Sequence, residues 1–483
     1  MAMRPYFPKR GCTMSIFYRP DDGFAADFIP FYWDGAYHLF YLKDYRDVPR
    51  HGEGTPWWHL VTRDFVAFED WGEALPRGTK DEQDLYVFTG SAIEAEGTFH
   101  IFYTGSNPYF RKAGKPEQGV MHATSTDLRR WTKHPEHTFF AAPTRYEMND
   151  WRDPFVFWNA EKWEYWMLLA ARWKDRPSRR RGLTACAASR DLQHWHVREP
   201  FWAPDLYYTH ECPDLFRIGD WYYLVYSEFT DTVRTRYRMS RSLAGPWRAP
   251  ADDLFDDRAY YAAKTAGDGR RRFLFGWLPT REGEKDDGHW QWGGNLVVHE
   301  LEQQPDGSLS VRVPQTIVAP FTRPLALNPQ PRLGTWHLGD TISTDAASRF
   351  SLLTMGDLPQ ECLISLRISY EHPTANFGLL LRADSELGRY YQLRFEPARQ
   401  RLVFDRWPRS WDNPFIVERP LSLKPGQAVR VQVLLDGTCL VAYADDRVAL
   451  SARTYDHRDG QLGLFVAEGR ARFEELAVRT REE

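Results

Sequence analysis

Little in this 483-residue sequence invites a cross-link, a membrane or a polyanion. Its five cysteines (Cys12, Cys186, Cys212, Cys362 and Cys439) are odd in number, widely scattered and without a CxxC pair, so neither a disulfide framework nor a cysteine-based zinc site is expected. There is no HExxH, and no metal-ligand spacing stands out along the chain, so no metal and no cofactor are expected either. No window approaches the ~20 apolar residues of a membrane span. The first twenty residues, MAMRPYFPKRGCTMSIFYRP, carry Arg, Pro and Lys but no apolar stretch of the secretory kind. A cytoplasmic protein without a membrane partner is therefore expected. A formal charge of −4 lacks the basic excess of a nucleic-acid binder. The one basic run, RPSRRRG (Arg176 to Gly182), holds Pro and Gly between apolar segments and reads as a solvated loop tip. Oligomeric state has no signature in the sequence.

Aromatic residues are abundant, 15% of the chain with 20 Trp among them. Most must fill cores, and a minority are free to stack on sugar rings. Five aromatic, β-branched runs recur every 50 to 65 residues or so: GAYHLFYL (Gly35 to Leu42), GTFHIFYTG (Gly97 to Gly105), KWEYWMLLAAR (Lys162 to Arg172), DWYYLVYSE (Asp220 to Glu228) and RRFLFGW (Arg271 to Trp277). The first four are followed in step by HLVTRDFVAFEDW, HATSTDLRRWTKH, CAASRDLQHWHV and RMSRSLAGPWRAP. Amphipathic helices of ten or more residues are missing between them, which disfavours a βα barrel. A repeating unit of several strands predicts an all-β fold, a five-bladed β-propeller over residues 1–319. The Pro-rich segment PFTRPLALNPQPRLGTW then predicts an extended linker over 320–335. Short alternating runs such as LISLRISY, FGLLLRAD and VRVQVLLD predict a β-sandwich over 336–483.

In a propeller the innermost strand of each blade lines a central channel, and ligands bind at its mouth. Asp27, in GFAADFIPFYW, Asp153, in WRDPFVFW, and Glu211, in HECPDLF, each precede an aromatic run by about ten residues. Asp is common in turns and before Pro. Three acids at equivalent places in three repeats, each beside aromatic or Pro residues, instead predict convergence on the axis. Two carboxyl groups flanking a glycosidic bond are what most glycosidases require, and a third can hold sugar hydroxyls. Arg152, beside Asp153, supplies a charge partner that keeps the acid ionised and oriented.

HECPDLF, WRDPFVFW, FTGSA (Phe88 to Ala92), DDRAYYAAKT and FLFGW resemble the motifs of glycoside hydrolase family 32, the invertase, levanase and inulinase group. The segment FGLLLRADSELGRYYQLRFEPARQRLVFDR is similar to that family's appended sandwich. The resemblance implies a retaining hydrolase of terminal fructofuranosyl units, with a carbohydrate as its partner. Asp27 would be the nucleophile, Asp153 a transition-state stabiliser and Glu211 the acid/base. Arg152, Phe88, Ser91 and Trp277 would line the substrate site. Cys212 and His210, on either side of Glu211, are expected to pack rather than react. Two positions depart from the family: Ala26 stands where an Asn precedes the nucleophile, and Leu42 where a Gln ends the first aromatic run. The loss of two amides beside the reacting sugar leaves another furanoside, such as an arabinofuranoside, as an alternative substrate. Fructosyl transfer and sugar binding without catalysis are the remaining alternatives.

Overall fold

The computed structural model describes residues 12–409, 411–412 and 416–482. Strands make up nearly all its regular structure, and the longest described helix, Pro108–Lys112, has five residues. Among the described residues no helix is long and apolar enough to cross a membrane.

Each of the five aromatic runs becomes the second strand of an antiparallel group: Ala36–Asp44, Thr98–Ser106, Glu164–Trp173, Trp221–Glu228 and Arg272–Arg281. Each pairs with the strand before it, respectively Phe24–Trp33, Tyr86–Ala95, Tyr146–Asn159, Glu211–Ile218 and Tyr261–Gly267. The first and last groups share one sheet, in which Gly294 pairs with Ala25. Cores lie between consecutive groups, as a propeller requires. Phe40, Leu42 and Trp57 of the first pack with Val87, Ile101 and Tyr103 of the second. Phe102 and Val120 of the second pack with Trp151, Met167 and Leu169 of the third. Leu168 and Cys186 of the third pack with Leu215, Leu224 and Tyr226 of the fourth. A strand covered on both faces needs no polar alternation, which explains why Ala36–Asp44 is buried along all but its last residue.

The five first strands share a second feature. In each, the pairing register slips by one residue: between Ala26 and Ile29, Phe88 and Gly90, Arg152 and Phe155, Glu211 and Asp214, and Tyr261 and Lys264. These are β-bulges, which bend a strand and re-aim a side chain. Asp27, Asp153, Cys212 and Ala262 take positive φ there, at 42°, 57°, 50° and 50°. Pro154 and Pro213 follow two of them, where a missing N–H costs no ladder bond. In the second group the slip brings Gly90 so close to its partner strand that a Cβ would lie 1.9 Å from the Phe102 carbonyl oxygen.

The chain packs as two compact units. One holds the described residues up to Leu254 with Tyr260–Trp277 and Trp292–Ser308; the other holds Phe255–Ala259, Leu278–Gln291 and the described residues from Leu309 onward. The second unit is the sandwich. Its longest strand, Gln461–Thr480, pairs first with Asn376–Ala383 and then, further along, with Glu361–Glu371, while Thr341–Asp357 follows its other edge.

The 320–335 segment, expected as an extended linker, contains two short strands paired into the second unit's sheet. Arg323–Pro324 pairs with Gln461–Thr480, and Gln330–Leu333 with Thr341–Asp357. Its Pro residues sit on short strands, where lost donors are tolerated. The N-terminal unit does not extend to 319 as one stretch, since it cedes 255–259, 278–291 and the residues after 308.

Candidate active site

The bulges carry the chemistry-bearing side chains. Asp27 lies on the first bulge, Thr89 on the second, Asp153 on the third, Glu211 and Cys212 on the fourth, and Tyr261 and Ala262 on the fifth. Hydrogen bonds join them in sequence around a ring. Thr89 Oγ1 donates to Asp27 Oδ2 at 2.6 Å. Thr104 Oγ1 donates to the Thr89 carbonyl at 3.0 Å and accepts from Asp153 N at 2.8 Å. Asp153 Oδ2 accepts from Cys212 N at 2.9 Å. Lys264 Nζ, buried, donates to the Pro213 carbonyl at 2.8 Å. Trp277 Nε1 closes the ring by donating to Asp27 Oδ1 at 3.0 Å.

Glu211 is held from two sides, by Arg152 Nη2 at 3.0 Å and by the Tyr261 hydroxyl, which donates to Oε2 at 2.5 Å. The Tyr261 ring lies 5.9 Å from that of Trp277, so the groups holding Glu211 and Asp27 touch. The three expected catalytic acids are thus gathered within one hydrogen-bonded constellation.

Arg152 does more than pair with its neighbour. Its Nε lies 3.6 Å from Asp153 Oδ2, its Nη2 reaches Glu211 and Thr209 Oγ1, each at 3.0 Å, and its Nη1 bonds Asp150. Asp150, 1% exposed, also pairs with Arg172. A guanidinium beside two acids, itself anchored by a buried third, explains why both charges of the Arg-Asp pair tolerate burial.

Burial drives the electrostatics. It pushes the Asp27 carboxyl up to about 7, the charges of Asp153 and Glu211 adding to the rise and the bonds from Thr89 and Trp277 opposing it. Asp153 is raised to about 6, again by burial first, against the pull of Arg152. The Tyr261 hydroxyl is raised by burial and by the Glu211 carboxylate, so it remains a donor. Both raised carboxyls move toward neutral pH, so Asp27 becomes anionic only as the pH approaches neutrality.

The remaining predicted positions divide. Trp277 is fully buried and bonds the nucleophile candidate directly. Phe88 is part-buried, its carbonyl accepting from Trp57 Nε1 at 3.1 Å. Ser91 is 4% exposed and its Oγ accepts from Val156 N at 3.0 Å, tying the second group to the third. Ala26 and Leu42 face each other in register and are wholly buried. Leu42 belongs to the apolar cluster of Phe40 and Trp57, against which Phe88 and Trp292 pack. The two departures therefore place apolar packing beside Asp27. Cys212 is a bulge residue whose thiol burial pushes far up, and His210, lowered to about 3 by burial, bonds Thr184 at 3.2 Å; neither is poised to react.

Thr89, Thr104, Tyr261, Lys264 and Asp150 escape the sequence reading. Thr89, Tyr261 and Lys264 lie inside FTGSA and DDRAYYAAKT, and Asp150 lies just ahead of WRDPFVFW. For Thr89 and Tyr261 the available signal was the offset itself, since they align with Asp27 and Glu211 of other repeats.

Residues 18–309 match the Glycosyl hydrolases family 32 N-terminal domain, and residues 337–480 the Glycosyl hydrolases family 32 C terminal. The raffinose invertase of Escherichia coli is 24% identical, over 91% of this chain and 89% of its own. A sucrose-6-phosphate hydrolase of Zymomonas mobilis is 25% identical, over 92% and 87%. Among solved structures, fructan 1-exohydrolase IIa from Cichorium intybus superposes with a TM-score of 0.73 at 17% identity, covering 97% of each chain. Sucrose-6-phosphate hydrolase from Lactobacillus gasseri gives 0.72 at 19% identity, over 97% of this chain and 93% of that one. These likenesses agree with the propeller and sandwich described above. Matched across both parts by one family's two domains, the chain belongs to glycosyl hydrolases family 32 and is a hydrolase of O-glycosidic bonds.

Proposed function

We propose that the protein releases terminal fructofuranosyl units from sucrose-like oligosaccharides or fructans with net retention, through a covalent glycosyl-enzyme. The observation that carries this is the set of three acids on equivalent bulges, joined by hydrogen bonds around one ring. Asp27, ionised, attacks the anomeric carbon, and Glu211 protonates the departing oxygen. Water then enters with Glu211 as base, and the bond to Asp27 breaks. Asp153 accepts hydrogen bonds from ring hydroxyls, and its charge favours the oxocarbenium-like transition state. Arg152 and Tyr261 fix Glu211, while Thr89 and Trp277 fix Asp27. Sucrose-6-phosphate hydrolases and a raffinose invertase among the relatives support a fructosyl substrate. The buried thiols of Cys186, Cys212 and Cys362, none in a disulfide, are consistent with the cytoplasm as its location.

A second substrate, a pentofuranoside lacking the extra hydroxymethyl group, is favoured by the apolar side chains at Ala26 and Leu42. A site without those amides loses about 1–3 kcal/mol for each sugar hydroxyl left unpaired. The test is a panel of sucrose, inulin, levan and aryl pentofuranosides, run with the protein and with Asp27→Ala, Asp153→Asn and Glu211→Gln. Fructosyl release lowered at least ~10²-fold in each folded variant is expected. Near-normal turnover in any of them removes that residue from the mechanism. Faster cleavage of the pentofuranoside than of every fructoside would replace the first substrate class by the second.

A further inference from the structure

The second strand group gathers four imidazoles and a carboxylate that the glycosidase chemistry does not use. Three of them, His134, Glu136 and His137, stand together in the sequence as HPEH in the turn after Gln118–Ser125, and the fold adds His100 from Thr98–Ser106 and His122 from Gln118–Ser125. His100 Nδ1 lies 2.9 Å from His122 Nε2, and His122 Nδ1 lies 3.0 Å from His137 Nδ1. His134 Nε2 lies 2.8 Å from Thr124 Oγ1. Glu136 Oε1 is 3.3 Å from His134 Nδ1 and 3.9 Å from His137 Nε2. One ligand atom each from His134, Glu136 and His137 falls within 4.8 Å of the others.

The proton inventory gives this geometry its meaning. His122 lies between two imidazoles, with His100 at its Nε2 and His137 at its Nδ1, so one of its ring nitrogens donates and the other accepts. With protons running from His137 Nδ1 to His122 Nδ1, and from His122 Nε2 to His100 Nδ1, both imidazole contacts are satisfied. His137 Nε2 is then a lone pair. Thr124 accepting from His134 Nε2 likewise leaves Nδ1 as a lone pair. In that tautomer two imidazole lone pairs and a carboxylate oxygen face one another; in the other, His134 Nδ1 donates to Glu136 Oε1, and a cation takes the place of that proton. The 3.3 Å spacing from Glu136 Oε1 to His134 Nδ1 matches the edge of a tetrahedron about zinc, about 3.3 Å for bonds of 2.0–2.1 Å, and the 3.9 Å spacing to His137 Nε2 has to close by about half an ångström. Thr124 and His122 act as the outer groups that fix ligating imidazoles.

We propose that His134, Glu136 and His137 bind a divalent transition-metal ion of zinc-like preference, with Thr124 and His122 orienting the imidazoles. With side chains 25%, 64% and 21% exposed, the site faces solvent, and water fills its other positions. The ion ties both ends of the Pro135–His137 turn to the strand Gln118–Ser125. Its contribution is to stability, by mass action on the folded state.

The test uses the untagged full-length protein after chelator treatment, titrated with zinc by calorimetry and followed by thermal denaturation. One zinc per chain and a rise in Tm are expected, with the cobalt-loaded protein showing d–d absorption but no thiolate charge-transfer band. His134→Ala combined with His137→Ala should weaken binding at least ~10²-fold, and Thr124→Val about 10-fold, as the loss of an orienting group does. His194→Ala, which removes an exposed histidine paired with Asp191, should bind as the parent does. No binding by the parent in excess zinc would overturn the proposal and leave His134 and Glu136 as an ordinary ion pair. Unchanged affinity in the double variant would overturn it too.

Discussion

Asp27 combines three properties at one residue: a positive φ, a raised pKa and two hydrogen bonds from groups on other strands. The strain and the burial both cost free energy, and a fold retains such costs where they are put to use. Their consequence is a pH profile. Burial, with the charges of Asp153 and Glu211, raises the Asp27 pKa to about 7, and Thr89 pulls it down. Since Asp27 must be ionised to attack, kcat/KM should climb with pH through the range near 6–7. In Thr89→Val the restraining bond is gone, the pKa rises further, and the acid limb should move to higher pH by about 0.4–1 unit, the worth of one hydrogen bond. A pH–rate profile of the variant checks this. An acid limb that stays in place, or moves to lower pH, would show that Thr89 does not tune the nucleophile.

At the scale of the strand, the repeated bulge is the device that turns a β-sheet repeat into a ring of hydrogen-bonded polar side chains. Thr104 shows how tightly it is built, because its hydroxyl satisfies a backbone group from the second bulge and another from the third. Thr104→Val leaves the Asp153 N–H and the Thr89 carbonyl without that partner, at about 1–3 kcal/mol for each buried group. Tm and kcat should therefore fall together while KM changes less, and a variant matching the parent in all three would remove Thr104 from the scaffold. The sequence made part of this legible. The aromatic runs mark the second strands because strands covered on both faces read as continuous apolar segments. The acids stand out because charge before such a run needs a reason. The bulges themselves are written in Asp-Pro and Cys-Pro, since Pro within a sheet calls for an edge or a bulge. What stayed hidden was partnership across repeats. Thr89, Tyr261 and Asp150 are ordinary polar residues in their own strands, and only the closure of the ring gives them acids to hold. The same holds for Ser91, which reads as a substrate contact and proves to be bonded to Val156 N.

For the whole molecule, the division into two units is not a cut at one point in the chain. The sandwich unit includes Phe255–Ala259 and Leu278–Gln291, and these segments make buried bonds within it. Asp256 accepts from Ser451 N at 2.8 Å and from Ser451 Oγ at 2.5 Å. Asp286 accepts from the Tyr391 hydroxyl at 2.5 Å and from Tyr455 N at 2.8 Å. A fragment 336–483 lacks these acceptors and the strands Arg323–Pro324 and Gln330–Leu333 as well. It should fail to show cooperative unfolding by circular dichroism, and a fragment that melts as sharply as the full chain would contradict this assignment. The proposed catalysis likewise rests on the assembled ring, as a double displacement at Asp27 with Glu211 as acid and base. The stereochemistry of transfer tests that claim most directly. With methanol added as acceptor, the product is a methyl fructofuranoside that does not mutarotate, so its anomeric configuration can be read by NMR. Two displacements predict methyl β-fructofuranoside from a β-linked donor. Formation of the α-anomer would mean a single inverting displacement and would contradict the covalent mechanism.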